Sequence, residues 1–461
     1  MVREVMAAAL LVASSFSAQA PLRWGPCAAD TAGMECTDLQ VPVDWSKPDG
    51  RTITLKLGRL PATGRSEGSL LVAYGGPGGP GVAMTQHSAA SWAELRKRMD
   101  IVTWDTRGYG KQWGGLSTEL PCVWMKPPTP GFPGDDAEFG RLSHTNREVG
   151  RACQYRDPVF FGSMSSADMA HDMEAIRKTL GEPALNYYGA SYAGLYGQTY
   201  ARLYPDRVRT MVLDGTWSHA TTGAAWERYL LADAAINESF LGRFFAWCKK
   251  DASCAQVGPD LPRAWSNLME RADRTPIPAR SAGVHYDARE LRAGGLWLVY
   301  QGRSAWPKLG EAIRNAQAGD ASGFVVSERH PYLGMPTGVT DCLDHPRAGS
   351  RAEIDTMIAK FRRVAPHTRE PSLFRNLLGC VGWPVPVTNP PKPLPGGLPP
   401  FLGAGAWRES ELVKPVLDQV PGSGLITHDG PGHTLYLSNE CARIHINRYV
   451  TDRVVPENAT C

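Results

Sequence analysis

The sequence predicts an α/β fold, a sheet flanked by helices, with a mostly helical insertion in its second half. Three observations lead there. Strand-like and helix-like stretches alternate from about Val41 to Gly215, as a layered α/β domain requires. From about Thr216 to Asn389 the alternation gives way to helical stretches rich in Trp, Arg and Ala, and after a proline-rich connector the alternation resumes. A chain of 461 residues is long enough for one large domain carrying such an insertion.

In chain order, "TITLKLGRL" and "SLLVAYG" read as strands and "DIVTWD" as a short buried one. A helix follows with a start signal, Ser165-Ser166-Ala167-Asp168, and with Met169, Met173, Ile176 and Leu180 on one face. Two further strands, "ALNYYG" and "VRTMVLDG", close the first region. The insertion is typified by "AAWERYLLADAAINESFLGRFFAWCKK". "WPVPVTNPPKPLPGGLPP" is an extended connector, because proline lacks the donor that a central strand needs. After it come "FLGAG", a helix-like "SELVKPVLDQV", a strand-like "SGLITHDG" and a final helix around "SNECARIHINRYV". The expected division is a leader over 1–20, core over 21–215 and 390–461, and insertion over 216–389.

A net charge of +3 without basic clusters or like-charge runs gives no reason to expect nucleic acid or a membrane surface as partner. A peptide or small-molecule substrate is expected, and a monomeric chain. The N-terminus has a short charged start, an apolar stretch from Met6 to Phe16 and then Ala18-Gln19-Ala20, the order of a secretory signal and too short to span a bilayer. Glu4 and Pro21 depart from that pattern. Ten cysteines, an even number, agree with export to an oxidising compartment. Their grouping suggests the neighbours Cys27 and Cys36, Cys122 and Cys153, Cys248 and Cys254, Cys342 and Cys380, and Cys441 and Cys461, although sequence does not fix connectivity. None forms the Cys-x-x-Cys and histidine pattern of a zinc site, so no metal is expected.

Ser191 follows the strand "ALNYY" and precedes the helical "YAGLYGQTYARLY", the setting of a nucleophile elbow. The tight turn needs small neighbours. Gly189 meets that need, and Ala193 adds one methyl group, which Gly194 helps to accommodate. The glycine-rich "YGGPGGPG" directly after a strand offers bare backbone N–H groups to a developing oxyanion, with Gly76 as one donor and Tyr192, the residue after the serine, as the other. It has neither the lysine of a P-loop nor GxGxxG spacing. His433, in "THDGPGHTLY", sits in a loop after the last strand, where a general base would follow the serine in chain order.

These motifs together resemble the secreted tripeptidyl aminopeptidases of actinomycetes, TAP-like α/β-hydrolases related to proline iminopeptidases. The resemblance runs from "LRWGPC" and "CTDLQVPVDWSKPDG" through "GGPGGPG", "WDTRGYG", "DMEAIRKTLG", "NYYGASYAG" and "VLDG" to "DGPGHTLY" and the last two cysteines. It implies an α/β-hydrolase fold with a helical cap, a serine peptidase acting near peptide N-termini, and no cofactor. In the family a carboxylate on the cap can bind a substrate amine, and Glu227 and Glu238 are candidates, although solvated helix charges are the simpler reading.

The family pattern fails in places. Ala190, Ala193, Pro80 and Gln112 stand where members carry other small or polar residues. The triad aspartate of the family falls on Trp407, in "FLGAGAWRESE". Losing the orienting acid of a triad costs about 10⁴ in kcat, so a replacement is expected. Asp214, at the end of "MVLDG", is the first choice. Glu409 or Glu411 is the second, and a Ser-His pair without an acid the third. An esterase or amidase for a small metabolite, or a non-catalytic binding protein on this scaffold, are the alternatives to a peptidase.

Overall fold

The computed structural model describes residues 22–28, 32–110, 115–122, 132–254, 257–325, 338–369 and 378–461. The expected leader and Gln112 lie outside these residues. The first part of the chain forms β1 (Gly25–Pro26), β2 (Glu35–Pro42), β3 (Thr52–Leu60), β4 (Ser69–Ala73), α1 (Gly81–His87), β5 (Asp100–Trp104), α2 (Asp136–Arg156), α3 (Pro158–Gly162), α4 (Ser166–Thr179), β6 (Leu185–Ala190), α5 (Ala193–Leu203) and β7 (Val208–Asp214). Next come α6 (Ala224–Cys248), α7 (Leu261–Arg274), a small hairpin of β8 (Ile277–Ala279) and β9 (Val284–Tyr286), α8 (Ala288–Tyr300), α9 (Trp306–Gln317), α10 (Val339–Asp344) and α11 (Arg351–Val364). The chain ends with β10 (Leu402–Ala406), α12 (Trp407–Leu417), β11 (Gly424–His428), α13 (Glu440–Asp452) and β12 (Ala459–Thr460).

Ten strands make one sheet in the order β1-β2-β3-β5-β4-β6-β7-β10-β11-β12. From β5 to β12 every pairing is parallel, whereas β1, β2 and β3 run antiparallel at one edge. Parallel strands covered by helices on both faces need continuous apolar runs. Leu70 to Ala73, Ile101 to Trp104 and all of Leu185 to Ala190 are accordingly buried. β2 escapes a reading based on apolar runs because its residues alternate: Thr37, Leu39 and Val41 point into the core, while Asp38 and Gln40 face solvent.

The start signal before α4 is a capping box, with Ser165 Oγ accepting from the Asp168 N–H and the Asp168 carboxylate accepting from the Ser165 N–H. Met169, Met173 and Ile176 are fully buried, as their spacing predicts. Arg107, from "WDTRGYG", is fully buried and forms a bidentate pair with Asp172 of α4 at 2.7 and 2.5 Å. Its remaining donors reach the carbonyls of Val43, Ser163 and Pro42, and Trp45 donates to Asp172. This pair ties α4 to the β2 end and to the turn after β5.

The helices α6 to α9 pack about an apolar cluster separate from the sheet, including Phe244, Trp265, Leu291, Leu309 and Phe324. All five expected cysteine neighbours are disulfides: Cys27–Cys36, Cys122–Cys153, Cys248–Cys254, Cys342–Cys380 and Cys441–Cys461. Among the described residues no helix is long and apolar enough to cross a membrane. Breaking one side of a buried, hydrogen-bonded ion pair strands the other charge. Asp172→Ala is therefore expected to lower the free energy of unfolding by about 3–5 kcal/mol, measured by denaturant titration.

Candidate active site

Ser191 is the first of the two residues between β6 and α5 and adopts φ +57°, a left-handed conformation that a non-glycine residue rarely takes. Such geometry costs on the order of 1–3 kcal/mol and persists only when the surroundings over-determine it. Those surroundings are visible. The Ser191 N–H donates to the Asp214 carbonyl at 2.8 Å, and its own carbonyl accepts from Gly194 N–H at 2.9 Å. A Cβ at Gly189 would lie 2.8 Å from the Ala193 carbonyl oxygen, so the strand end and the helix start nearly touch. Ala193 itself is fully buried, and its single methyl group fits.

The glycine turn after β4 approaches this elbow closely. A Cβ at Gly75 would fall 2.4 Å from Tyr192 N and 2.6 Å from Ser191 Cβ. Any side chain there would fill the space in front of the Tyr192 N–H. Gly75, which sequence reasoning passed over in favour of Gly76, is thus the residue that clears room beside the serine. Gly76 follows at φ +143°, a conformation that suits glycine alone. The sequence signal for Gly75 was available in the doubled glycine of "YGGPGG".

His433 lies in the loop after β11, with its side chain 58% exposed, and its Nδ1 meets the carboxylate of Glu409 in a short hydrogen bond. A carboxylate can only accept, so Nδ1 carries the proton and Nε2 is left as an acceptor. Glu409 stands in the first turn of α12, two residues past Trp407, with its side chain 16% exposed. Its Oε2 is buried and has no hydrogen-bond partner among the described residues. Trp407 opens α12 at φ +29° and stacks on Phe240 of α6, ring centres 4.9 Å apart.

Asp214, expected as the acid, is not the partner of His433. Its carboxylate is fully buried and accepts from Leu435 N–H at 2.8 and 2.9 Å, from Tyr436 N–H at 2.9 Å and from the Tyr188 hydroxyl at 2.7 Å. Those donors hold it against the backbone beyond His433. Burial pushes its pKa up to about 6, against the pull of the Leu435, Tyr436 and Tyr188 donors and with a further push from the charge of Glu409. Glu411 is also not the partner, since it pairs with Lys414 at 2.7 Å on the exposed side of α12.

The four elements meet at one rim of the sheet. β6, β7, β10 and β11 are successive neighbours, and their carboxyl ends carry Ser191, Asp214, Glu409 and His433. A Cβ at Gly215 would lie 3.0 Å from both Glu409 Oε2 and Thr434 N, which packs the acid and the histidine loop around the end of β7. Open α/β sheets bind ligands at this edge. Glu227 and Glu238 are committed elsewhere, to Lys360 at 2.6 Å and to His367 and Thr368 at 2.5 to 3.1 Å. The described grouping of metal-type side chains, Cys441, His445 and Cys461, has both sulfurs joined in a disulfide and offers no thiolate.

A strained serine between strand and helix, a glycine turn against it and a carboxylate-held histidine at the same rim define a hydrolase site of the nucleophile-elbow class. The chain belongs to the α/β-hydrolase fold family, whose model matches residues 68–305, and the model of the TAP-like proteins matches 368–461. It is 29% identical to the tripeptidyl aminopeptidase of Streptomyces lividans, over 100% of this chain and 89% of that one. It is 27% identical to the serine protease Hip1 of Mycobacterium tuberculosis, over 96% and 91% of the two chains. A third relative, 26% identical over 94% and 88%, is named carboxylesterase B, also from Mycobacterium tuberculosis.

The two carboxylates are expected to separate in mutants. Glu409→Gln lowers kcat toward the roughly 10⁴-fold loss of an acid-dependent triad, while Asp214→Asn leaves the His433 partner in place and costs far less in kcat; steady-state kinetics on an activated ester compares them. Asp214 has a folded pKa above its ordinary value, so its protonated form favours the fold, and that stabilisation is lost as pH rises through about 6. Thermal melts should therefore find the parent losing ground to Asp214→Asn between about pH 4 and pH 7.

Proposed function

We propose that this chain is a secreted serine hydrolase, an aminopeptidase that releases short peptides from peptide N-termini through an acyl-enzyme. The observation that carries the reading is the His433–Glu409 pair at the rim where Ser191 is held at positive φ. Ser191 Oγ attacks the scissile carbonyl carbon and gives its proton to His433 Nε2. The oxyanion is held by the N–H groups of Tyr192 and Gly76. The C–N bond then breaks, and the leaving amine takes the proton from His433. Water, deprotonated by the same imidazole, attacks the acyl carbon, the ester C–O bond breaks and His433 returns the proton to Ser191 Oγ. Glu409 orients the imidazole and stabilises its charged form.

The reading includes a cap over residues 216–389 on a core of 21–215 and 390–461. Contacts from α6 to the histidine side of the rim support it: Phe240 stacks on Trp407, and Arg243 pairs with Asp429 at 3.0 Å. Export is supported by the five disulfides. An esterase is the second reading, favoured by the relative named carboxylesterase B. A binding protein without catalysis loses its main support, because His433 has an acid partner.

Fluorophosphonate labelling of the purified protein is expected to depend on Ser191, with Ser191→Ala unlabelled; labelling that survives the substitution would sink the reading. On a panel of aminoacyl and tripeptidyl amides beside simple esters, amide turnover is expected, and turnover confined to esters would favour the second reading.

A further inference from the structure

Neither side of the oxyanion hole is supported by the sheet alone. The side chain of Tyr192 is buried, its ring packed edge-on against Trp217 with centres 5.4 Å apart. Its hydroxyl donates to Asp344 Oδ2 at 2.9 Å. Asp344 belongs to α10, more than a hundred residues later in the chain, and is fully buried. Its carboxylate also accepts from Ser166 N–H at 2.9 Å and Ser166 Oγ at 2.5 Å, and from Asn389 Nδ2 at 2.9 Å. Four donors on one carboxylate leave it no freedom to turn. The tyrosine that follows the nucleophile is therefore fixed at its far end by a residue outside the sheet.

The glycine turn is held from the same helix. Thr340, one helical turn before Asp344, donates from Oγ1 to the Met164 carbonyl at 2.7 Å. Its single proton is used there, so at 2.8 Å it accepts from the Tyr109 hydroxyl. The Tyr109 ring packs against Gly78, where a Cβ would sit 2.2 Å from ring Cγ. Gly78 is two residues past Gly76. α10 has only six residues and is joined to Cys380 through Cys342, which sits between Thr340 and Asp344.

We propose that α10 buttresses the oxyanion hole, with Asp344 positioning the Tyr192 N–H and Thr340, through Tyr109, positioning the glycine turn. Both are positioning residues that touch no substrate. A hydrogen-bond donor set to where charge develops loses effect with small misplacement, so the helix sets kcat rather than substrate affinity. The inference rests on the acyl-transfer reading above.

The test uses the full chain with Tyr192→Phe, Asp344→Asn and Thr340→Val. For each, kcat and KM are measured on the turned-over substrate, with the Ki of a peptide boronic acid, whose tetrahedral adduct with Ser191 directs an oxygen into the hole. Tyr192→Phe and Asp344→Asn are expected to lower kcat about tenfold or more with KM within about twofold, and to weaken boronate binding by the same factor as kcat/KM. Because they act on one path, the double variant should be no worse than the poorer single one, while Thr340→Val should add to either. If Asp344→Asn does not fold, Tyr192→Phe decides, since it keeps the Ser166 and Asn389 contacts of Asp344. Folded variants with unchanged kcat, or with losses confined to KM, overturn the inference while a Ser191-dependent fluorophosphonate label on the parent leaves the wider reading standing. A parent without that label overturns both.

Discussion

The backbone at the end of β7 holds the site together through one residue. The carbonyl of Asp214 takes the N–H of Ser191, and its carboxylate takes the N–H groups of Leu435 and Tyr436 just past His433. The next N–H, of Gly215, reaches the carbonyl of Ala404 in β10. Ser191, the loop that carries His433 and the strand that leads to Glu409 are thereby referred to one peptide unit, Asp214–Gly215, and to the carboxylate beside it. Buried backbone donors must find acceptors, and here those acceptors are arranged so that satisfying them also aligns the chemistry.

That constraint commits the aspartate at 214 to the backbone just past His433. Its carboxylate meets the Leu435 and Tyr436 N–H groups of that loop and the Tyr188 hydroxyl. Trp407 takes the place the resemblance assigns to an aspartate and turns its ring onto Phe240. The chain enters α12 immediately, and Glu409, half a turn later and one methylene longer than aspartate, spans the gap to His433 Nδ1. The Trp407 ring also joins α12 to α6, so the contact between the helical region and the sheet reaches within two residues of Glu409.

Much of this was legible in the sequence. Ser191, the glycine turn and His433 are marked by local sequence: small residues where a turn is tight, a glycine run directly after a strand, and a histidine in a loop after the last long strand. The core strands themselves followed from apolar runs, and the cysteine neighbours from their grouping along the chain. β2 has no such run, because its polar residues alternate with the buried ones. Gly75 was passed over because only its distance to Tyr192 distinguishes it from Gly76.

By itself the sequence determined which chemical groups are present and which sit at the ends of strands, since strand ends, turns and caps depend on residues a few positions apart. It could not choose among Asp214, Glu409 and Glu411, because each lies near the end of a strand at the same rim. Only the tertiary structure separates their partners: Asp214 meets backbone and Tyr188 donors, Glu411 is paired with Lys414 on the surface, and Glu409 alone of the three faces the imidazole. The same holds for Asp344 and Tyr192, whose contact spans 152 residues of chain and has no local signature.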